Sequence, residues 1–438
     1  MTVAEVQLWG STIGAVAVDG PGQIASFEYT PAFRDSNIQL APLMMPLSDQ
    51  VFRFPTLDPA AFHGLPGMLA DALPDKFGNA VIDAWLASQG RLPGEIDPVE
   101  RLCYTGTRAM GALEFRPAMG PRDSASTPIQ IDSLVHLASE VLSRRESLRT
   151  SFADSSKEHA LREILRVGAS AGGARAKAVI AWNPSTNQVR SGQASAPPGF
   201  EYWLLKFDGV TNSGDHGLSD PLGFGAIEYA YSLMARAAGI RMSDCRLFEE
   251  NGRRHFMTRR FDRLDDGAKL HMQSLGALSH FDYNIPGAYS YEQALLIIRR
   301  LGLTMNDIEE QFRRMVFNVV ARNQDDHVKN IAFLMNKAGE WSLSPAFDVC
   351  FSYNPSGAWT ATHQMTIAGK RDSFTLDDLK SAATVASMKR GRAESILREV
   401  TDAVSQWSRF AHAALVPEGQ AEAIGRTHRL HLLENDFG

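Results

Sequence analysis

ARNQDDHVKNIAFLMNKAGEWSLSPAFD, residues Ala321 to Asp348, is the stretch on which the rest of the chain turns. It sets an acid at Asp325 and an amide five positions later at Asn330, then a second acid at the end of a Pro-Ala-Phe-Asp turn, Asp348. Between them, Phe333–Met335 and Trp341–Leu343 predict the strands of a hairpin, with Lys337–Glu340 as its turn. A solvated loop between a helix and a hairpin has a similar composition, because Asp and Asn are common turn residues. The stretch therefore has to be read together with what flanks it.

Its residue types suit phosphoryl transfer to a hydroxyl. That chemistry needs one carboxylate to orient the attacking oxygen, and an amide and a second carboxylate to hold Mg²⁺ against the phosphates. The D-x-x-x-x-N spacing followed by an acid one hairpin downstream is the order protein kinases use.

Working upstream, Val167-GASAGGARAKAVIAW-Asn183 is a Gly/Ala/Ser-rich turn feeding a strand at Ala178–Trp182. Backbone N–H groups in such a turn can close on phosphates, and a flexible hairpin loop fits equally. It is neither a Walker A loop, since Ala follows Lys177, nor a G-x-G-x-x-G fingerprint. Tyr202–Phe207 is an apolar strand carrying Lys206, an ammonium that is costly to bury without an anionic partner. A phosphate, a carboxylate or snorkelling from an edge strand would each serve. The helix expected over Phe224–Ala238 offers Glu228, and a strand Lys paired with a helix Glu positions nucleotide in kinases. His255–Thr258 reads as a strand leaving into Arg259-Arg260-Phe261-Asp262-Arg263, the place where two lobes would join around an adenine. The arginines at 253, 254, 259, 260 and 263 lack the aromatic interleaving of a nucleic-acid patch beyond Phe256 and Phe261.

The first third is organised differently. Val6–Leu8, Ile13–Val18 and Ile24–Tyr29 form a strand meander with turns at Gly10 and at Asp19-Gly20-Pro21-Gly22, and residues 40–62 are Pro-rich and irregular. Helices are expected from Pro74-Asp75 through Leu86 and over Pro98–Cys103, with a returning strand at Ala112–Phe115. GPRDSAST, residues 120–127, is a linker by composition, and Asp132–Arg144 and Lys157–Val167 are helices. Past the hinge the chain is largely helical: Tyr291–Leu301, Asn306–Val320, a capped helix near Thr375 and one long helix from about Ala393 to Ala414.

At 438 residues the chain exceeds one compact core, so two or three domains are expected. It is 44% hydrophobic and 21% charged, with a net charge of −6. Residues 1–100 hold 12 acidic and 4 basic residues, net −8, leaving +2 for the rest. An acidic first domain is a poor grip for nucleic acid and suits a basic protein partner. Cys103, Cys245 and Cys350 are too dispersed for a disulfide framework or a zinc site. No signal peptide and no membrane-spanning run is read, so a reducing cytoplasm is the expected compartment.

These residues together resemble the HipA-like toxin kinases, the kinase half of type II toxin–antitoxin pairs, over nearly the whole chain. The resemblance rests on Leu8-Trp9-Gly10, Leu73-Pro74-Asp75, Ser170-AGGARA-Lys177, Lys206, Arg260-Phe-Asp-Arg263, Asp325-DHVK-Asn330, Phe347-Asp348, and His363-Gln-Met365 with Gly369-Lys370-Arg371. It implies an α+β chain: a small N-terminal subdomain over 1–118 for antitoxin or dimer contacts, a kinase N-lobe over 119–262 and a mostly helical C-lobe over 263–438. It implies ATP and Mg²⁺ as cofactors, Asp325 as the catalytic aspartate, and Asn330 and Asp348 as metal ligands. The nucleotide would be held by Gly172, Gly173, Ala174, Arg175, Ala176, Lys177 and Lys206, with Arg259, Arg260, Phe261, His327, Lys329, Asn330, Phe347 and Asp348 around it. Ser170 falls where family members are autophosphorylated, which ejects the loop and shuts the kinase down. The implied partners are a HipB-like helix-turn-helix antitoxin, DNA only through that antitoxin, no membrane, and a protein substrate such as an aminoacyl-tRNA synthetase.

Three departures stand out. Asp326 is a second carboxylate where small residues are frequent, and its spacing of four to Asn330 favours Asp325 as the catalytic acid. Phe-Asp-Val replaces Asp-Phe-Gly, so no protein-kinase activation segment is expected after Asp348. Ile227 precedes Glu228 where a polar residue is expected, leaving the pairing of Glu228 with Lys206 open. Two other classes share these parts: a co-repressor scaffold that binds a DNA-binding antitoxin with its chemistry weakened, and a small-molecule or lipid kinase.

Overall fold

In the computed structural model, residues 1–119, 129–143, 164, 165, 167, 175–210 and 222–432 are described. The expected linker at 120–127, most of the expected Lys157–Val167 helix, and residues 170–174 lie outside them.

The N-terminal meander forms as read. Strands β1 (Thr2–Leu8) and β2 (Ser11–Val18) meet at Trp9-Gly10, whose φ values of 50° and 83° give the primed turn that matches strand twist. With β3 (Ser26–Tyr29) and β4 (Leu113–Arg116) they make a four-stranded sheet in the order β3-β2-β1-β4. Ala4, Val6 and Leu8 alternate inward along β1 and meet Phe27, Tyr29 and Phe115 in one core. Residues 40–62 stay irregular apart from the Phe27–Phe52 and Ala41–Met45 bridges and a one-turn helix, Pro59–Phe62.

The Lys76–Ser88 helix is capped by Asp75, whose Oδ1 accepts from the Gly78 amide at 2.6 Å. Its apolar face (Phe77, Val81, Ile82) shares a core with the Ile131–Ser143 helix and a second sheet, through Trp203, Leu205 and Met257. That sheet is five-stranded and antiparallel in the order β6-β5-β7-β9-β8: β5 (Lys177–Trp182), β6 (Val189–Ser191), β7 (Glu201–Lys206), β8 (Cys245–Glu250) and β9 (Arg253–Arg259). Lys177 and Lys206 lie directly opposite each other across the β5–β7 pair.

The helical lobe follows. A three-stranded sheet, β10 (His271–Ser274), β11 (Ala332–Met335) and β12 (Trp341–Leu343), contains the expected hairpin. Helices Tyr291–Arg300, Met305–Val320, Leu376–Val385 and Arg392–Val404 pack around it. The helix expected to run unbroken to Ala414 is instead two, Arg392–Val404 and Trp407–Ala413. At the break the Asp402 carbonyl accepts from the Ser405 and Gln406 side chains at 2.8 and 3.1 Å, and the Gln406 amide turns to Ala403. Side chains have taken the acceptor that would have continued the ladder. The kink buries Trp407 and Phe410.

The Phe224–Ala237 helix joins the lobes. Gly225 lets it close on β9, where a Cβ would stand 2.4 Å from the Arg254 carbonyl. Its Ala226, Ile227, Ala230, Tyr231 and Met234 belong to the core of the helical lobe. The result is the two-lobed, kinase-like α+β architecture. Among the described residues no helix is long and apolar enough to cross a membrane.

Candidate functional site

The site assembles from the end of β7 outward. Alternation along β7 buries Trp203 and Leu205 in the sheet core and turns Lys206 to the opposite face. There its ammonium donates to Glu228 Oε1 at 2.6 Å and to Asp348 Oδ1. Side-chain exposure is 11% for Lys206, 2% for Glu228 and 27% for Asp348, so the ammonium is held between two largely buried carboxylates. Burial favours its neutral form, but Asp348 and Glu228 outweigh that and raise its pKa. Burial likewise favours protonated Asp348, and Lys206 and Lys177 reverse it, leaving Asp348 below the usual carboxylate range. The open pairing of Lys206 with Glu228 is thus resolved by direct contact. Arg175 adds a second cation, with Nη1 3.4 Å from Glu228 Oε2 and its guanidinium 3.5 Å over the Phe224 ring.

Asp348 sits in left-handed backbone (φ 51°) just past the hairpin. The chain behind it runs beside the catalytic-loop candidate, where Asn323 bridges Ser352 and the Ser352 amide donates to Arg322 at 3.2 Å. In that loop Asn330 Nδ2 donates to the Asp325 carbonyl at 2.8 Å, leaving Asn330 Oδ1 free of that bond. Asp325 keeps a 38% exposed carboxylate, and Trp359 Nε1 donates to its Oδ1 at 2.7 Å. His327 Nε2 lies 3.8 Å from the same oxygen.

The adjacent acids separate cleanly. Asp326 is buried and saturated: Oδ2 contacts Tyr291 Oη at 2.7 Å and His363 Nδ1 at 2.8 Å, and Oδ1 accepts from the Gln364 amide at 2.7 Å. Burial raises its pKa, and His363 with these donors brings it below the ordinary value. Of the two acids, only Asp325 is open to an incoming group.

The other candidate residues are placed as follows. Lys177 is buried and reaches back to Asp75 of the N-terminal region, Nζ to Oδ2 3.0 Å. Buried Ala176 accepts from the Phe207 amide at 3.0 Å. Arg259 points outward to Asp265 at 2.7 Å. Arg260 is buried against Asp262 with bonds of 2.8 and 2.6 Å, and its amide donates to the Tyr202 carbonyl at 2.9 Å. Asp262 also accepts from Arg263 and from the Gly111 amide, each at 2.7 Å, so the hinge arginines tie the lobes to the N-terminal region. Phe261 and Phe347 pack at 5.7 Å between ring centroids. Lys329 lies over the Tyr283 ring at 4.4 Å. Ser170, Gly172, Gly173 and Ala174 lie outside the described residues. Trp359 and the Asp326–His363 bond were not read from the sequence; a His-Gln-Met run marked the latter place without assigning it a role.

Donor chemistry bears on a metal. Among the described residues no cluster of three or more His, Cys, Asp or Glu is set to hold an ion. An amide oxygen and a carboxylate, Asn330 and Asp348, are nonetheless the hard donors Mg²⁺ takes when water and phosphate complete its shell. The residues fit such a group.

Over residues 169–407 the chain matches a family model described as the HipA-like C-terminal domain, and over residues 4–116 one described as the HipA N-terminal domain. No curated protein matches it. Among solved structures it is similar to HipA of Shewanella oneidensis MR-1, from the toxin–antitoxin complex of HipA, HipB and operator DNA. The TM-score is 0.68 at 16% identity, covering 98% of this chain and 96% of that one, a likeness of fold. A much weaker similarity, TM-score 0.33 at 12% identity over 53% of this chain and 92% of that one, links it to the Helicobacter pylori proinflammatory kinase CtkA. That second likeness is too slight to bear weight.

Proposed function

The chain belongs to the HipA family, and from that premise we propose that it is an ATP- and Mg²⁺-dependent serine/threonine protein kinase acting as the toxin of a type II toxin–antitoxin pair. One observation carries the reading: Lys206 stands between Glu228 and Asp348, joining a strand, a helix and a post-hairpin turn that are far apart in sequence. A structural ion pair needs one carboxylate. Two converging on one ammonium, beside the catalytic-loop residues, suit a lysine that bridges to phosphate next to a metal-binding acid.

In this reading Asp325 accepts the hydrogen bond of the acceptor hydroxyl, through the oxygen that Trp359 leaves open. Asn330 Oδ1 and Asp348 hold Mg²⁺, and Lys206, with Arg175 beside it, binds the phosphates. Bound Mg²⁺ supplies charge neutralisation across the transferring group. Residues 1–118 serve antitoxin or dimer contacts, 119–262 the N-lobe and 263–438 the C-lobe. Ser170 is the autophosphorylation site. The partner is a HipB-like helix-turn-helix protein, by similarity to the Shewanella complex, with DNA reached through it. The substrate is a protein of translation, an aminoacyl-tRNA synthetase by family resemblance, met in the cytoplasm.

Labelled ATP with and without Mg²⁺ tests this directly. Transfer of label to Ser170 or to a lysate protein is expected, and Asp325→Ala or Asp348→Asn should lower it by several orders of magnitude. Undiminished labelling in Asp325→Ala would overturn the assignment.

A further inference from the structure

The C-terminal segment reaches into the back of the catalytic loop. The Arg429 amide donates to the Val320 carbonyl at 2.9 Å, and Arg322 Nε donates to the Thr427 carbonyl at 2.9 Å. Arg429 Nη1 lies 3.1 Å from His363 Nε2, and its Nη2 is paired with Asp372. His363, fully buried beside Phe374, meets Asp326 with its other nitrogen at 2.8 Å. Thr427 and Arg429 lie past residue 407, where the C-terminal family match stops, and the groups they meet lie within it.

The chemistry fixes the ring. A guanidinium has donors and no acceptor, so the Arg429 contact requires a lone pair on His363 Nε2. The proton of the neutral imidazole then sits on Nδ1 and points at the Asp326 carboxylate. Asp326 is the neighbour of Asp325, and its remaining bonds go to Tyr291, which accepts from Asn318 Nδ2 at 3.0 Å, and to the Gln364 amide. Asn318 Oδ1 in turn accepts from Asn323 at 2.9 Å. The bonds run from Arg429 to the helix end and loop (318–326), and they leave Asp325 out.

We propose that Arg429 is a positioning residue: by holding His363 in its Nδ1–H tautomer it locks Asp326, and thereby sets where the Asp325 carboxylate points. Asp326 and Arg429 meet this ring directly; around them Tyr291 bonds Asp326, Asp372 pairs with Arg429 and Arg322, and Arg371 Nε donates to the His363 carbonyl. Without Arg429 the Nε2 lone pair loses the donor that selects this tautomer.

The inference rests on the kinase reading, so its test includes a readout that does not need transfer. In full-length protein, imidazole ¹⁵N spectra should show His363 as the Nδ1–H tautomer. In Arg429→Met it should become a mixture of the two neutral tautomers. The same variant should lose about ten- to a hundredfold in kcat with KM for ATP nearly unchanged, because the nucleotide residues are not displaced. Arg429→Lys keeps one donor and should restore most of kcat, which guards against a variant that merely folds poorly. Unchanged kcat in Arg429→Met, or an Nε2–H tautomer in the parent, would overturn the proposal. A parent that shows the tautomer but transfers no phosphate would instead defeat the kinase reading.

Discussion

Replacing Trp359 by Phe asks whether the Asp325 carboxylate, proposed as catalytic, is aimed or merely present. The indole is 7% exposed, so Phe keeps most of the packing and removes chiefly the Nε1–H that sits 2.7 Å from Asp325 Oδ1. A hydrogen bond to a charged acceptor is worth about 1.5–3 kcal/mol when nothing replaces it. Water can partly replace this one, because the Asp325 side chain is 38% exposed, so a figure at or just below the bottom of that range, about 1–1.5 kcal/mol, is appropriate. Converted at 1.36 kcal/mol per decade, that is roughly a five- to twelvefold loss of rate. The loss should fall on kcat in single-turnover transfer from saturating ATP, and the dissociation constant for ATP should stay put, since Lys206, Glu228 and Asp348 are untouched. Loss of ATP affinity with kcat preserved, or a rate within twofold of the parent, would refute the idea that the indole orients Asp325.

The other expectations are shorter. Lys206→Met leaves Glu228 and Asp348 facing each other's charge, so ATP affinity should collapse, and nucleotide thermal shift with Mg²⁺ should vanish. The same variant should also be destabilised by about 3–5 kcal/mol, the usual cost of removing one partner from a buried pair, seen as a lower urea midpoint. Asp262→Ala should uncouple the hinge from Gly111 and strand Arg260, lowering Tm by several degrees without altering the metal residues; an unchanged Tm would count against the hinge lock. His255 and His428 are held down to about 4, and His271 to about 3, mainly by burial. Their folded values lie below the unfolded one, so the stability they contribute is complete above about pH 6.5 and is lost as pH falls toward the folded values, about 2 kcal/mol each by pH 5. Urea midpoints at pH 7.5 and 5 measure this, and His255→Gln should flatten the dependence rather than steepen it.

Short-range pattern and long-range partnership separate in what the sequence revealed. The hairpin β11–β12 was legible because Trp341–Leu343 and Phe333–Met335 alternate around a turn that only a few residues span. Asp325, Asn330 and Asp348 could be singled out as candidates because phosphate chemistry constrains spacing along one loop and one hairpin. Trp359 and His363 were not, since each reaches an acid more than thirty positions upstream and nothing local to either marks the contact. Arg259 and Arg260 look alike in sequence, yet one is turned to solvent-side Asp265 and the other is sealed against Asp262. Strand β8 escaped notice because its burial does not alternate. The break at Ser405 was hidden because two polar side chains compete for one carbonyl, a local event that apolar periodicity does not record.

What binds the nucleotide candidates to the catalytic loop is the Phe224–Ala237 helix. One side of it carries Glu228 to Lys206; the other is buried among Phe312, Phe317 and Trp407 of the helical lobe. Tyr231, three residues on, donates to the Ala321 carbonyl at 2.7 Å, where the catalytic loop begins, and contacts His428 Nε2 at 3.1 Å. A helix whose buried side chains belong to the core of the helical lobe cannot swing out without tearing that core, so the Lys206–Glu228 pair is held by the packing of that lobe. Movement of this helix is therefore costly in this chain. The Asp348 carboxylate, 27% exposed, is the more accessible part of this arrangement, whereas the Arg429–His363 path behind the loop is sealed.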